Sequence, residues 1–132
     1  MYYVFDTTAY SEIDRGHLEM AKLVVSADEI LMPQMTIAEL RYGFALGSRT
    51  LENEKLLARF LANTKVRVLF PDSITTDLYV ELAAWLKKQG RQLSHHDLWI
   101  AALSTQYDAT LVSFDNDFSY LPKTSKRLLL KP

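Results

Sequence analysis

Five short apolar runs alternate along this 132-residue chain with segments of helical periodicity, and that alternation admits few folds. The runs are Tyr2–Phe5, Glu29–Pro33, Val66–Phe70, Thr110–Ser113 and Arg127–Leu130. Between them, His17–Ser26 sets Leu18, Ala21, Leu23, Val24 and Val25 at amphipathic helical spacing. Met35–Gly47 carries Ile37, Leu40, Phe44 and Leu46 broadly on one side, and Leu51–Ala62 carries Leu56, Leu57, Phe60 and Leu61. Asp72 or Ser73 caps a long helix from Ile74 to Gln89 that stops at Gly90, and Ser94 starts another through Tyr107. Strands separated by helices form parallel neighbours joined by right-handed crossovers. The expected class is therefore α/β, a three-layer sandwich with a central, mostly parallel five-stranded sheet flanked by helices. A chain of this length makes one domain, residues 1–132.

In such sheets ligands bind beyond the carboxyl ends of the strands. Asp6 follows the first strand, and Asp115 and Asp117 follow the fourth. Glu39 and Asp97 are each expected in the first turn of a helix that starts at the same edge. Every one of these acids also has a purely structural explanation. "TIAE", Thr36 to Glu39, and "SHHD", Ser94 to Asp97, match the capping box, in which the acid bonds back to the cap N–H. Asp6 can cap a helix beginning at Thr7, with Thr7 and Thr8 as natural first residues, and Asp115-Asn116-Asp117 can be an Asx-type turn.

The set is harder to explain than its members. Two carboxylates about 4 Å apart repel by about 4 kcal/mol at an effective dielectric of ~20. Several in one pocket persist only if cations occupy it or some are protonated. The chain has no cysteine, and oxygen ligands alone favour Mg²⁺ or Mn²⁺ over zinc. The absence of cysteine also excludes disulfides and thiolate catalysis.

Fifteen Lys and Arg stand against sixteen Asp and Glu, a net charge of −1 that does not itself advertise a polyanion partner. With the five candidate acids set aside as cation ligands, the remainder is mildly basic and compatible with one. "MYYVFDTTAY" at the N-terminus lacks the basic and apolar segments of a secretory signal, and no apolar run approaches the ~20 residues that span a bilayer. A soluble, cytoplasmic protein is expected, with no membrane contact.

In "VFDTTAY", "TIAELRYG", "SHHDLWIAA" and "TLVSFDNDF" the chain resembles the PIN-domain ribonucleases, most closely the small VapC-like toxins of toxin–antitoxin pairs. The similarity runs nearly end to end. It implies a PIN-like fold and metal-dependent hydrolysis of RNA phosphodiester bonds. On that reading Asp6 and Asp97 hold Mg²⁺ (or Mn²⁺) directly and Asp115 completes the shell. Glu39 binds a second ion or positions the attacking water, Asp117 assists, and Thr7 and Ser113 orient carboxylates or water as supporting hydroxyls. The resemblance also implies a cognate antitoxin and a homodimer; apolar residues on more than one side of the third and fourth helices, such as Ile37, Tyr42, Phe44 and Phe60, suit either partner. The chain departs from the family pattern at His96, where Asn is frequent, and at Phe114, where Asn or Arg is usual. The second departure leaves Asp115 and Asp117 as alternatives for the fourth carboxylate.

His95 and His96, about 100° apart on a helix, cannot easily face one ion together; His95 is expected to be exposed and His96 to stand at the edge of the site. Arg41, Arg49, Lys87, Lys88 and Arg91 are candidate phosphate contacts, or simply a solvated face. Tyr10, Tyr42 and Trp99 are candidates for stacking on a base, with core packing favoured for Trp99. Three rivals remain. A haloacid-dehalogenase-type phosphatase needs a second acid where Thr8 stands. A receiver-like signalling domain needs an acid after the third strand and a Lys after the fifth, where the chain has Phe70-Pro71-Asp72 and Leu130-Lys131-Pro132. The third is a PIN-like domain that binds RNA or a protein partner without cleaving.

Overall fold

A computed structural model describes residues 1–132. Five strands, β1 (Tyr2–Phe5), β2 (Glu29–Pro33), β3 (Val66–Leu69), β4 (Thr110–Ser113) and β5 (Arg127–Leu129), form one sheet in the order β3-β2-β1-β4-β5. Every neighbouring pair is parallel, so the sheet is wholly rather than mostly parallel. Six α-helices intervene: α1 (Thr7–Asp14), α2 (Leu18–Ser26), α3 (Gln34–Leu46), α4 (Thr50–Leu61), α5 (Ser73–Lys88) and α6 (His95–Gln106). A 3-10 helix over Asn116–Tyr120, which the sequence pattern did not foretell, follows β4.

Successive side chains of a strand point to opposite faces, and this sorts the core into two layers. Val4, Leu31 and Leu111 pack with Leu86, Leu98, Ile100 and Phe118 on the face covered by α5 and α6. Their neighbours Tyr3, Phe5, Ile30, Met32 and Val112 pack with Met20, Ile37, Leu40 and Leu57 on the face covered by the first four helices. The central strands are apolar on both sides because both sides are covered.

The order reverses beside β1. From β1 the chain steps to β2 and β3 on one side, then returns to lay β4 and β5 on the other. The crevice between the carboxyl ends of β1 and β4 is thus the switch point at which open α/β sheets bind ligands. Helix α6 feeds directly into β4, so its C-terminus lies at the amino edge of the sheet and its first turn at the carboxyl edge. Asp97 reaches that edge by this return path, not by following a strand.

Thr36 corrects one expectation. Helix α3 begins at Gln34 with Pro33 at its N-cap, so Thr36 lies inside it, buried, its hydroxyl donating to the Phe5 carbonyl at 3.1 Å. Glu39 is therefore in the second turn, and "TIAE" is not a capping box. Pro33 starts the helix one turn earlier than the Thr-x-x-Glu spacing suggested.

Candidate active site

The cleft at the switch point is lined by Asp6, Thr7, Thr8, Glu39, Ser94, His96, Asp97 and Asp115, encloses about 170 Å³, and has no apolar residue in its wall. Four of the five sequence-predicted acids meet there. They come from the end of β1, from α3, from the first turn of α6 and from the end of β4.

Asp6 lies deepest, 4% exposed. It caps α1, its Oδ1 accepting the Ala9 N–H at 2.9 Å, as a purely structural Asp would. The same carboxylate takes two more donors. Thr8 Oγ1 donates to Oδ1 at 2.7 Å, and Ser113 Oγ donates to Oδ2 from the neighbouring strand. Burial pushes the Asp6 pKa above the ordinary carboxylate value against these three donors, and the negative charge of Asp97 adds to the rise. An acid held this firmly yet disfavoured as an anion wants a cation beside it.

Ser113 and Thr8 clamp the end of β4 onto β1. Ser113 Oγ accepts the Asp115 N–H at 2.9 Å, and Thr8 Oγ1 accepts the Phe114 N–H at 2.9 Å. Asp115 is aimed by this clamp, and its Oδ1 accepts the Asp117 N–H at 2.9 Å in the Asx geometry that starts the 3-10 helix. Asp117 faces away: its side chain is exposed and it does not line the cleft. Phe114, at the departing position, packs edge-on against His17 with ring centroids 5.0 Å apart. Thr7 lines the cleft as expected, and its Oγ1 is a buried polar atom without a hydrogen-bond partner in the protein.

Ser94 caps α6 by accepting the Asp97 N–H at 3.1 Å, but the Asp97 carboxylate does not return a bond to the cap and so is free for the cleft. His96 stands between the acids of opposite walls. Its Nε2–H donates to the Met35 carbonyl at 3.0 Å; Glu39 Oε2 is 3.5 Å from the same nitrogen, and Asp97 Oδ1 is 3.7 Å from Nδ1. Asp97 is the chief cause raising the His96 pKa to about 9, burial opposes it, and the Met35 carbonyl and Glu39 contribute. When protonated, the imidazole places its charge between Glu39 and Asp97. Sequence reasoning put His96 only at the edge of the site and passed over Thr8 and Ser94. The one signal for His96 was its place beside Asp97 in the first turn of α6; for Thr8 it was a hydroxyl two residues past a strand-end acid.

The cleft has the donor chemistry of a divalent-ion site. Its donors are carboxylate and hydroxyl oxygens, the set that hard cations take, and Thr7, whose buried hydroxyl has no protein partner, is one of its lining residues. The acids are gathered without closing into a three-ligand cage. The donor chemistry fits, and the cleft is open enough to admit ion and water together. The phosphatase alternative finds no support, since the position that needs its second acid is Thr8, and Thr8 is bonded to Asp6.

An all-parallel sheet with acids from four separate elements at its switch point defines an acid-lined hydrolase-like site on an α/β scaffold. The PIN domain family model matches residues 3–123, and the chain belongs to that family. Ribonuclease VapC1 of Haemophilus influenzae (strain R2866) is 32% identical over 117 residues, 86% of each chain. Among solved structures, VapBC-1 from nontypeable Haemophilus influenzae superposes with a TM-score of 0.83 at 25% identity, covering 98% of both chains. VapBC2 from Rickettsia felis, bound to a DNA fragment from its promoter, gives 0.85 at 23% identity over 99% of this chain and 100% of that one. No helix is long and apolar enough to cross a membrane.

Proposed function

We propose that this protein is a divalent-metal-dependent endoribonuclease that acts as the toxin of a toxin–antitoxin pair. The observation that carries this reading is the convergence of Asp6, Glu39, Asp97 and Asp115 on one cleft without apolar lining. The relatives named ribonuclease VapC and the fold shared with VapBC complexes support the same activity and the same kind of protein partner.

Asp6, Asp97 and Asp115 are the residues that would hold Mg²⁺ or Mn²⁺. When bound, such an ion lowers the pKa of a water ligand and neutralises charge building on the phosphoryl oxygens. The chain's own contribution is positional. Ser113 and Thr8 fix the Asp6 carboxylate, and the Ser113 clamp aims Asp115 from the neighbouring strand. Glu39, on the opposite wall, orients the attacking water. His96 supplies positive charge between Glu39 and Asp97 and keeps the two walls together. Phosphate oxygens entering the cleft meet no apolar surface there.

The antitoxin reading is supported by apolar surface on α3 and α4. Ile37 is buried and Phe44 and Phe60 are half-buried, but Tyr42, Leu46 and Leu51 are 67%, 71% and 72% exposed. These three suit a partner helix or a second copy of the chain.

The deciding experiment is cleavage of labelled RNA by purified protein with Mg²⁺ or Mn²⁺, with chelator, and with the Asp6→Asn and Asp97→Asn variants. Metal-dependent cleavage lost in both variants is expected. Cleavage that survives both variants assigns the activity elsewhere, and release of phosphate from small phosphomonoesters would restore the phosphatase.

A further inference from the structure

A second cavity, of about 370 Å³, opens beside the cleft and is the larger of the two. Its wall includes Tyr79, Lys87, Arg91, Leu93, His95 and Leu98, with no acid among its lining residues. The two cavities share one stretch of backbone: Leu93 and His95 face the second, and Ser94 between them faces the acids. We propose that this cavity is the subsite that receives an unpaired base of the RNA substrate beside the scissile phosphate, with Lys87 and Arg91 on the flanking phosphates. The assignment rests on the ribonuclease reading above.

Tyr79 and His95 form an aromatic part of a wall whose apolar lining is otherwise Ala83, Leu86, Leu93 and Leu98. Tyr79 packs on Trp99 with centroids 4.5 Å apart and stacks on His95 at 6.1 Å and 18°, its hydroxyl hydrogen-bonded to His95 Nδ1. Such a rigid aromatic surface is what unpaired bases stack on, whatever their sequence. The cations are equally placed. Gly90, in the left-handed region at φ +69°, ends α5 and turns the chain so that Arg91 N–H caps the Leu86 carbonyl. The Arg91 guanidinium lies 4.6 Å over the Tyr120 ring, at the end of the 3-10 helix that begins beside Asp115. Lys87 and Arg91 both line the cavity, and no carboxylate lines it to neutralise them. Two cations and the Tyr79–His95 pair on one wall, one residue away from the acid cleft, match a single strand of nucleic acid.

The test uses the full chain carrying Asp97→Asn to silence cleavage, titrated into a labelled single-stranded RNA oligonucleotide and read by fluorescence anisotropy. Lys87→Ala and Arg91→Ala are each expected to weaken binding several-fold and to flatten the salt dependence by about 0.7 in log–log slope. His95→Ala is expected to cost about tenfold with the salt slope unchanged, and His95→Phe to restore most of it. Lys22→Ala, a charge lost on the far α2, is the control and leaves affinity unaltered. Parallel assays with cleavage-competent protein separate the two readings. Wild-type cleavage with KM and affinity unmoved by these substitutions overturns the subsite and leaves the ribonuclease standing. Binding weakened as described, with no cleavage by the wild type, upholds RNA binding at the cavity but overturns the ribonuclease, and with it the cavity's place beside a scissile phosphate. Loss of a co-purifying protein with RNA affinity intact makes the cavity a protein-docking surface and overturns the proposal.

Discussion

Ser113 and Asp6 stand 107 residues apart in the chain, yet the Ser113 hydroxyl donates to the Asp6 carboxylate at the switch point of the sheet. Both are buried, and the same Ser113 oxygen accepts the Asp115 N–H. Ser113→Ala therefore strands one carboxylate oxygen and one backbone donor. Leaving a buried polar group unsatisfied costs about 1–3 kcal/mol. Urea denaturation should show a loss of that size, with RNA cleavage falling more steeply than stability because Asp115 loses its aim. Equal stability of Ser113→Ala and wild type would remove the clamp from the account.

Asp115 and Asp117 are separated by one residue and predicted to behave as opposites. Asp115 lines the cleft and Asp117 is exposed beyond it. Asp115→Asn should reduce the rate of RNA cleavage by more than about a hundredfold, the upper range for losing even a supporting contact of a metal site. Asp117→Asn should stay within about twofold, as surface substitutions do. Steady-state cleavage rates for the two variants check this directly; the reverse order would move the fourth carboxylate to Asp117.

The strands and most helices were legible because each has one dominant signal. Glu29–Pro33 is apolar and closed by Pro33, and Gly90 ends α5 in the left-handed conformation that only glycine adopts cheaply. Asp6 and Asp115 were legible because they terminate strands and Asp97 because it opens a helix, whereas Glu39 lies in the second turn of α3. Local pattern misled where two signals overlapped. Thr36 reads as a cap, but the helix already starts after Pro33 and Thr36 instead donates to the Phe5 carbonyl at the end of β1. What a sequence cannot carry is contact between distant residues. Thr8 bonding Phe114, His96 bridging Glu39 and Asp97, and Arg91 lying over Tyr120 each depend on the strand order.

Metal should stabilise the fold through the gathered acids. A ligand at a hundredfold excess over its Kd adds about 2.7 kcal/mol to the folded state, which at this chain length raises Tm by roughly 10 °C. Mg²⁺ should therefore raise the Tm of the native chain in a thermal melt. Asp97→Asn should show a clearly smaller rise, and Asp117→Asn the full one. A Tm of the native chain that is indifferent to Mg²⁺ and Mn²⁺ alike would leave the acids without the cation they are proposed to share.

The pH dependence of stability follows from His96. Its pKa is raised from 6.5 to about 9 in the folded protein, so folding is favoured by proton uptake. That contribution is complete below the unfolded value of 6.5 and is lost as pH rises through about 9. Asp6, also raised, acts in the same direction from lower pH, because its buried anion is disfavoured only in the folded state. In chelator, Tm should fall steadily across the window from 6.5 to about 9. His96→Gln, which keeps a side-chain donor for the Met35 carbonyl but cannot carry charge, should flatten the decline in that window while lowering stability below it. A native chain whose Tm rises with pH there would show that the imidazolium does not bridge Glu39 and Asp97 in solution.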